Sequence, residues 1–292
     1  MISKIKSVYE GKYKLLLLIP FLLLILALVQ IGIQTAVTGD FVNKGITLKG
    51  GSTITIEGSS VDPIELETFL NQKFPTADIS IRTITVAGSL TGIAIDSDAQ
   101  TNPEIDNLVS TIEEKVDLKS YDYSVEVMGS SLGKSFFKQT LIALLIAFLL
   151  MGIVVLIYFR TIVPSLAVIL AAFSDIVVTL AIFNLTGFKL STAGIAAFLM
   201  LIGYSVDTDI LLSSRLLKRK EGSVMHRVYG AMKTGLTMST TTLAAILVAL
   251  IFVQSEVVKQ IMLILFIGLL VDLVMTWIQN VGILRMYLER KK

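Results

Sequence analysis

The sequence predicts a polytopic α-helical membrane protein of six spans, arranged one plus five around a small α+β domain. Three observations carry that prediction. Apolar residues make up 54% of the 292 and charged ones only 16%, against roughly 25% charged in ordinary globular chains. Six stretches of about twenty residues or more hold two charges at most, the length a chain needs to cross a ~30 Å hydrocarbon core. The charge is also divided: residues 37–133 hold 15 Asp/Glu against 6 Lys/Arg, a net of −9, while the remainder holds 8 against 19, a net of +11. The mean hydropathy of +0.79 has the same meaning.

Composition excludes whole classes of chemistry. Without cysteine there are no disulfides, no Cys-ligated zinc and no thiol catalysis, and one histidine argues against a His-based metal site or triad. The basic residues sit beside apolar runs, so nucleic acid is not an expected partner. No catalytic residues, metal or cofactor are expected.

The spans fall between charges. Residues 15–39 and 139–159 have none; 161–188 has Asp175; 190–214 has Asp207 and Asp209; 234–255 has none; 260–284 has Asp272. Lys4, Lys6, Lys12 and Lys14 precede span one, which puts the N-terminus in the cytoplasm. Arg285, Arg290, Lys291 and Lys292 follow span six, and Arg215, Lys218, Arg219, Lys220, Arg227 and Lys233 lie between spans four and five, all on the same side. The opposite loops near Lys189 and Lys259 hold one Lys each. The expected organisation is therefore a cytoplasmic N-terminus (1–14), span one (15–36), an extracytoplasmic domain (37–137), spans two to six (138–285) and a cytoplasmic C-terminus (286–292), in the cell membrane. Span one is read as a retained anchor, because its apolar run is longer than a signal's and residues 33–37 make a poor cleavage site.

Within the domain, a strand is expected over 46–57, where Thr53-Ile54-Thr55-Ile56 alternates with period two. Asp62-Pro63-Ile64-Glu65 opens a helix, and Leu66, Phe69 and Leu70 form its face. Strands over 79–86 and near 91–95 flank a turn at Ala87-Gly88-Ser89. Asn102-Pro103-Glu104 is read as a second Asx-Pro helix start, and Ile105, Leu108, Val109, Ile112 and Val116 recur at helical spacing. Tyr123, Val125 and Val127 alternate in a last strand. The βαββαβ order predicts a ferredoxin-like sheet covered by helices on one face, a fold that does not itself specify function. Its acidic surplus is a solubilising surface or a docking face for a basic partner. Lys49-Gly50-Gly51-Ser52 lacks the spacing of a phosphate loop and is expected to be a turn.

Four aspartates inside spans are the candidate functional residues, since each costs about 2.5–3.5 kcal/mol at mid-bilayer on the insertion scale. At 1.5 Å per residue, Asp175 lies roughly 22 Å past Arg160, Asp272 roughly 20 Å before Arg285, and Asp207 roughly 12 Å before Arg215. The hydroxyl run of span five, with Thr237 and Thr241, covers the depth of Asp207. Carboxylates and hydroxyls in such steps suit a proton relay or a sodium pathway, with Asp207 as the principal carrier. Asp207 and Asp209 stand about 160° apart on a helix and cannot share a face. Gly194, Ala197 and Gly203 are small enough for a close helix seam.

The run Gly203-Tyr204-Ser205-Val206-Asp207-Thr208-Asp209-Ile210-Leu211-Leu212-Ser213-Ser214-Arg215 resembles the fourth-span signature of the SecF family, subunits of the SecDF protein-export complex. Its Val-Asp-Thr-Asp form is similar to the archaeal variant. On the bacterial pattern the family aspartate falls on Thr208 and its asparagine on Asp207; the aspartate of the sister SecD family falls on Asp207. Ser174–Leu180, Lys49–Ser52 and Met128–Lys134 also match, and the family's span-five arginine falls on Thr234, beside Lys233. The resemblance implies half of a resistance-nodulation-division (RND)-type bundle paired with SecD, an accessory to a SecYE-type translocon. Ion flow would then drive outer-domain motion on an emerging preprotein. Half of an RND-like exporter of lipids or small apolar molecules is the main alternative. A purely structural subunit is another, and the motifs of an intramembrane aspartyl protease are not matched.

Overall fold

A computed structural model describes residues 9–58, 61–86, 89–218, 221–253 and 255–290. Lys4, Lys6, Arg219, Lys220, Lys291 and Lys292, and Ala87 and Gly88 of the expected turn, lie outside them. Six helices are long and apolar enough to cross a membrane. The first, α1 (Tyr13–Thr38), ends at Gly39, whose φ of +78° only glycine adopts without strain. The next four are α5 (Ser130–Phe159), α6 (Ile162–Leu185), α7 (Thr192–Lys218) and α8 (Val224–Phe252). The sixth is compound: α9 (Glu256–Val274), a π-turn (Met275–Asn280) and α10 (Val281–Arg290). The six match the sequence-derived spans, although α5 starts eight residues earlier than 138 and runs straight out of the domain.

Between α1 and α5 lies an α+β unit: α2 (Ile46–Lys49), β1 (Gly51–Glu57), α3 (Pro63–Lys73), β2 (Ser80–Val86), β3 (Ser89–Ser97), α4 (Asn102–Glu113) and β4 (Tyr123–Met128). Its four strands pair antiparallel in the order β2-β3-β1-β4. Ile54 stands opposite Ile95 and Ile56 opposite Ile93; these four pack under Leu66 and Leu70 of α3 and Leu108 and Ile112 of α4, all buried. The expected strand over 46–57 is corrected at its start. Ile46–Lys49 is a helical turn, Gly50 (φ +92°) links it to β1, and β1 opens at Gly51 (φ +140°), so the Lys49–Ser52 stretch is the junction of a helical turn with a strand. Asp62 caps α3 through Ile64 N at 2.8 Å. The second helix start differs from its expected Asx form: the cap is Thr101, in a reciprocal box with Glu104, and Asn102 is already helical. The Thr101 and Gln100 amides bonding the exposed Glu104 hold its carboxyl below the usual range.

The other sheet face overlooks the bundle. There Arg82 donates to both oxygens of Asp96 (2.8 and 3.1 Å), and Thr53 adds a third bond at 2.8 Å. The unit is fastened to the loop between α6 and α7. Leu190 N donates to Asn43 O (2.6 Å), and Gly45 N donates back to Leu190 O (2.8 Å). Lys49 and Lys189 both reach Asp78. Burial pushes the Asp78 carboxyl up, but the two ammoniums outweigh it and hold it below the usual range. Gln260 of α9 holds the same loop, donating to Lys189 O at 2.7 Å and accepting from Ser191 N at 3.0 Å.

Candidate intramembrane carboxyl site

The centre of the bundle is made by α6, α7 and the compound sixth span. Each contributes one aspartate with no solvent exposure: Asp175, Asp209 and Asp272. Asp175 Oδ2 accepts from Ser205 Oγ at 2.5 Å, and Ser205 lies one turn before Asp209 on α7. Thr276, at the start of the π-turn, places its Oγ1 3.0 Å from Asp209 Oδ1 and 2.9 Å from Asp272 Oδ1. Asn280 Nδ2 donates to the same Asp209 oxygen at 2.7 Å. Gln279, from the π-turn, donates to Ser174 Oγ at 3.3 Å.

The second oxygens of all three carboxyls are buried without a partner among the described residues, as are the hydroxyls of Thr179 and Ser213. Those hydroxyls lie one helical turn beyond Asp175 and Asp209, on the same faces. A site with orphan acceptors at this depth holds polar capacity that the fold alone does not use, and buried polar atoms without partners are uncommon in proteins. Such an arrangement can pass a proton between carboxyls or hold a small cation in passing. Among the described residues no three or more His, Cys, Asp or Glu side chains are grouped to hold a metal ion.

The remaining expected site residues are placed differently. Asp207 is exposed, on a strip of α7 with Met200, Gly203 and Tyr204, and so points away from the three buried carboxyls. The 160° separation keeps Asp207 and Asp209 on different faces, and it is Asp209 that turns inward. Thr237 and Thr241 do not join the cluster. They are exposed on α8 and donate back to their own helix, to Lys233 O at 2.8 Å and Thr237 O at 3.0 Å. Of the three expected seam residues, Gly194 and Ala197 pack inside the chain. A Cβ at Gly194 would meet Leu190 at 2.6 Å and Gln260 at 2.9 Å, and Ala197 is buried in the central apolar cluster. Gly203 is on the open strip. At Thr234, where the resemblance expects an arginine, Arg215 arrives from α7 instead, 2.9 Å from Thr234 Oγ1.

Ser205, Thr276, Gln279 and Asn280 were not singled out by sequence. Thr276 and Asn280 had a signal: with Asp272 they recur every fourth residue in a largely apolar span, a polar stripe of helical period.

With this geometry in view, the relatives become informative. The family described as "Protein export membrane protein SecD/SecF, C-terminal" matches residues 108–290. A "Protein-export membrane protein SecF" from Pyrococcus furiosus is 38% identical over 290 residues, covering 99% of this chain and 96% of that one. The chain belongs to the SecF family. A SecF from Methanothermobacter thermautotrophicus is 40% identical over 95% of this chain and 93% of its own. Among solved structures, SecDF from Thermus, described as "a translocon-associated membrane protein", superposes with a TM-score of 0.75 over 97% of this chain at 21% identity. A heavy metal efflux pump gives 0.50 over 87% at 12%. At those identities the likeness is one of fold. This SecF-family chain spans 38% of the length of the Thermus SecDF chain.

Proposed function

We propose that this chain is the SecF-type half of an ion-driven complex that promotes preprotein export, working beside a SecYE-type translocon and completed by a SecD-type half. The single observation that carries it is the near full-length identity to SecF proteins, joined to a bundle whose centre holds three buried carboxyls. Protonation of that set changes the charge of the α6–α7–α9 interior, and the proposed output is a shift of those helices under the outer domain. The exposed Asp207 strip, with Gly203 at its middle, is the proposed SecD-facing seam, since a bare carboxylate toward lipid is costly. The set Asp175, Asp209 and Asp272 is the proposed inner relay.

The strand order β2-β3-β1-β4 over helices α3 and α4 supports a ferredoxin-like reading of the domain. The distribution of Lys and Arg supports its extracytoplasmic placement, with both termini in the cytoplasm. The molecule is a transport accessory and not an enzyme. The independent-exporter alternative has only a likeness of fold behind it.

The test is export driven by an ion gradient in vesicles holding the assembled complex. Asp209→Asn and Asp207→Asn should both insert, keep the SecD-type partner and lose gradient-dependent export. Normal export in both variants would sink the relay. A fully active complex without a SecD-type half would return the independent-exporter reading. A cysteine at the exposed Ser110 of α4, labelled by an impermeant reagent only after lysis, would reverse the orientation; Ser97, within β3, is buried.

A further inference from the structure

We infer that Thr276 is the positioning residue that makes Asp209 and Asp272 one unit, its single hydroxyl proton serving one carboxylate at a time. A threonine hydroxyl has one O–H to donate and lone pairs to accept. Its oxygen lies 3.0 Å from Asp209 Oδ1 and 2.9 Å from Asp272 Oδ1, so the two contacts cannot both be donations from Thr276. With one carboxyl protonated, both bonds are satisfied in a definite direction: the acid donates to Thr276, and Thr276 donates to the carboxylate.

Transfer reverses that direction. The O–H bond of protonated Asp272 breaks as one forms on Thr276 Oγ1, and the proton Thr276 held passes to Asp209. One carboxylate, one acid and one hydroxyl stand on each side of the step. No water is needed between the two groups, and Thr276 itself has no solvent exposure.

Thr276 and Asn280, four residues apart in the π-turn, both meet Asp209 Oδ1 (3.0 and 2.7 Å). Gln279, from the same turn, faces Ser174 of α6 instead. Asn280 thus gives Asp209 a fixed donor, while Thr276 is the donor that can be withdrawn.

This role rests on the relay proposed above. The experiment uses the assembled complex in vesicles with a proton gradient, carrying Thr276→Val, Thr276→Ser, Asp209→Asn or Asp272→Asn. Thr276→Val keeps the volume and should lower gradient-driven export about ten-fold or more, and Thr276→Ser should restore it. Difference infrared spectra supply a readout that packing alone would not move. In the parent, Asp272→Asn should shift the carboxyl band of Asp209; in the Thr276→Val background it should leave that band in place. Parental export by Thr276→Val, equal failure of Thr276→Ser, or a band shift that persists without the hydroxyl overturns the role of Thr276. Normal export by both Asp209→Asn and Asp272→Asn overturns the relay and this role with it.

Discussion

The α+β unit and the helical bundle are built from the same residue types turned inside out. In the unit, Ile54, Ile56, Ile93 and Ile95 have no exposure and the charges lie outside, except for Asp96, which is buried on the opposite sheet face. In the bundle, Ile157 is 67% and Val154 60% exposed, while Asp175, Asp209, Asp272, Thr276, Gln279 and Asn280 are at zero. The reason is the solvent each faces. Water rewards apolar burial; hydrocarbon gives an apolar side chain no reason to hide and makes an unpaired polar group expensive. Polarity therefore collects where helices can satisfy it. The unit's interior is apolar, and the bundle's polar interior is the proposed relay.

That contrast can be broken in graded ways. The largest effect falls on function: Asp209→Asn should abolish gradient-dependent export while leaving the melting temperature of the purified protein unchanged or higher, because an uncharged replacement removes a buried charge's desolvation cost. A large fall in melting temperature would mean that the bundle's polar centre is structural after all. In the unit the order reverses. Residues 37–133 expressed alone should melt cooperatively, and Ile54→Ala should cost about 2–5 kcal/mol in denaturant unfolding. Arg82→Ala comes next, at about 1–3 kcal/mol, because Asp96 keeps 3% exposure and loses its bidentate partner. Ile157→Ala, which faces outward, should stay within about 0.5 kcal/mol in the membrane-inserted protein; a larger loss would place a partner on that face of α5.

The smallest effect is a pH dependence. The Asp78 carboxyl is held down by Lys49 and Lys189, so its contribution is present above the usual carboxylate range and lost as pH falls through its depressed value. Asp78 is about half exposed, and salt screens the pair. Hydrogen exchange at the Leu190 and Gly45 amides should rise modestly on acidification, and Asp78→Asn should show the raised rate at neutral pH already. No change at either amide would leave the two lysines without a fastening role.

Much of this was legible in the sequence because hydrophobic length and period are local. All six spans follow from runs between charges, and the βαββαβ order follows from alternation and helix starts. Two local readings went astray where a neighbour decided. Ile46–Lys49 alternates well enough for a strand but is a helical turn linked to β1 by Gly50, against which Gly133 of α5 packs: a Cβ there would meet Gly50 N at 2.9 Å. Thr101 displaces Asn102 as the cap because Glu104 stands three residues after it. At the site, charge marked the right spans but not the right face. On α7 the sequence offers Asp207 among small and polar neighbours and Asp209 among others, Ser205 and Ser213. Nothing local says which side meets Thr276 and Asn280, sixty-seven and seventy-one residues further along.

The junction of β4 and α5 has a mechanical consequence. One residue, Gly129, separates the last strand from a thirty-residue helix that is mostly exposed along its apolar length. A helix of that length is a rod of about 45 Å, and a 10° tilt about one end carries the other by about 8 Å. With so short a coupling there is little slack to absorb the swing, and the rod's other end turns into α6, the helix that bears Asp175, across Arg160 and Thr161 alone. Span two thus has the form of a pushrod, with a carboxyl-bearing helix at one end and the edge of a sheet at the other.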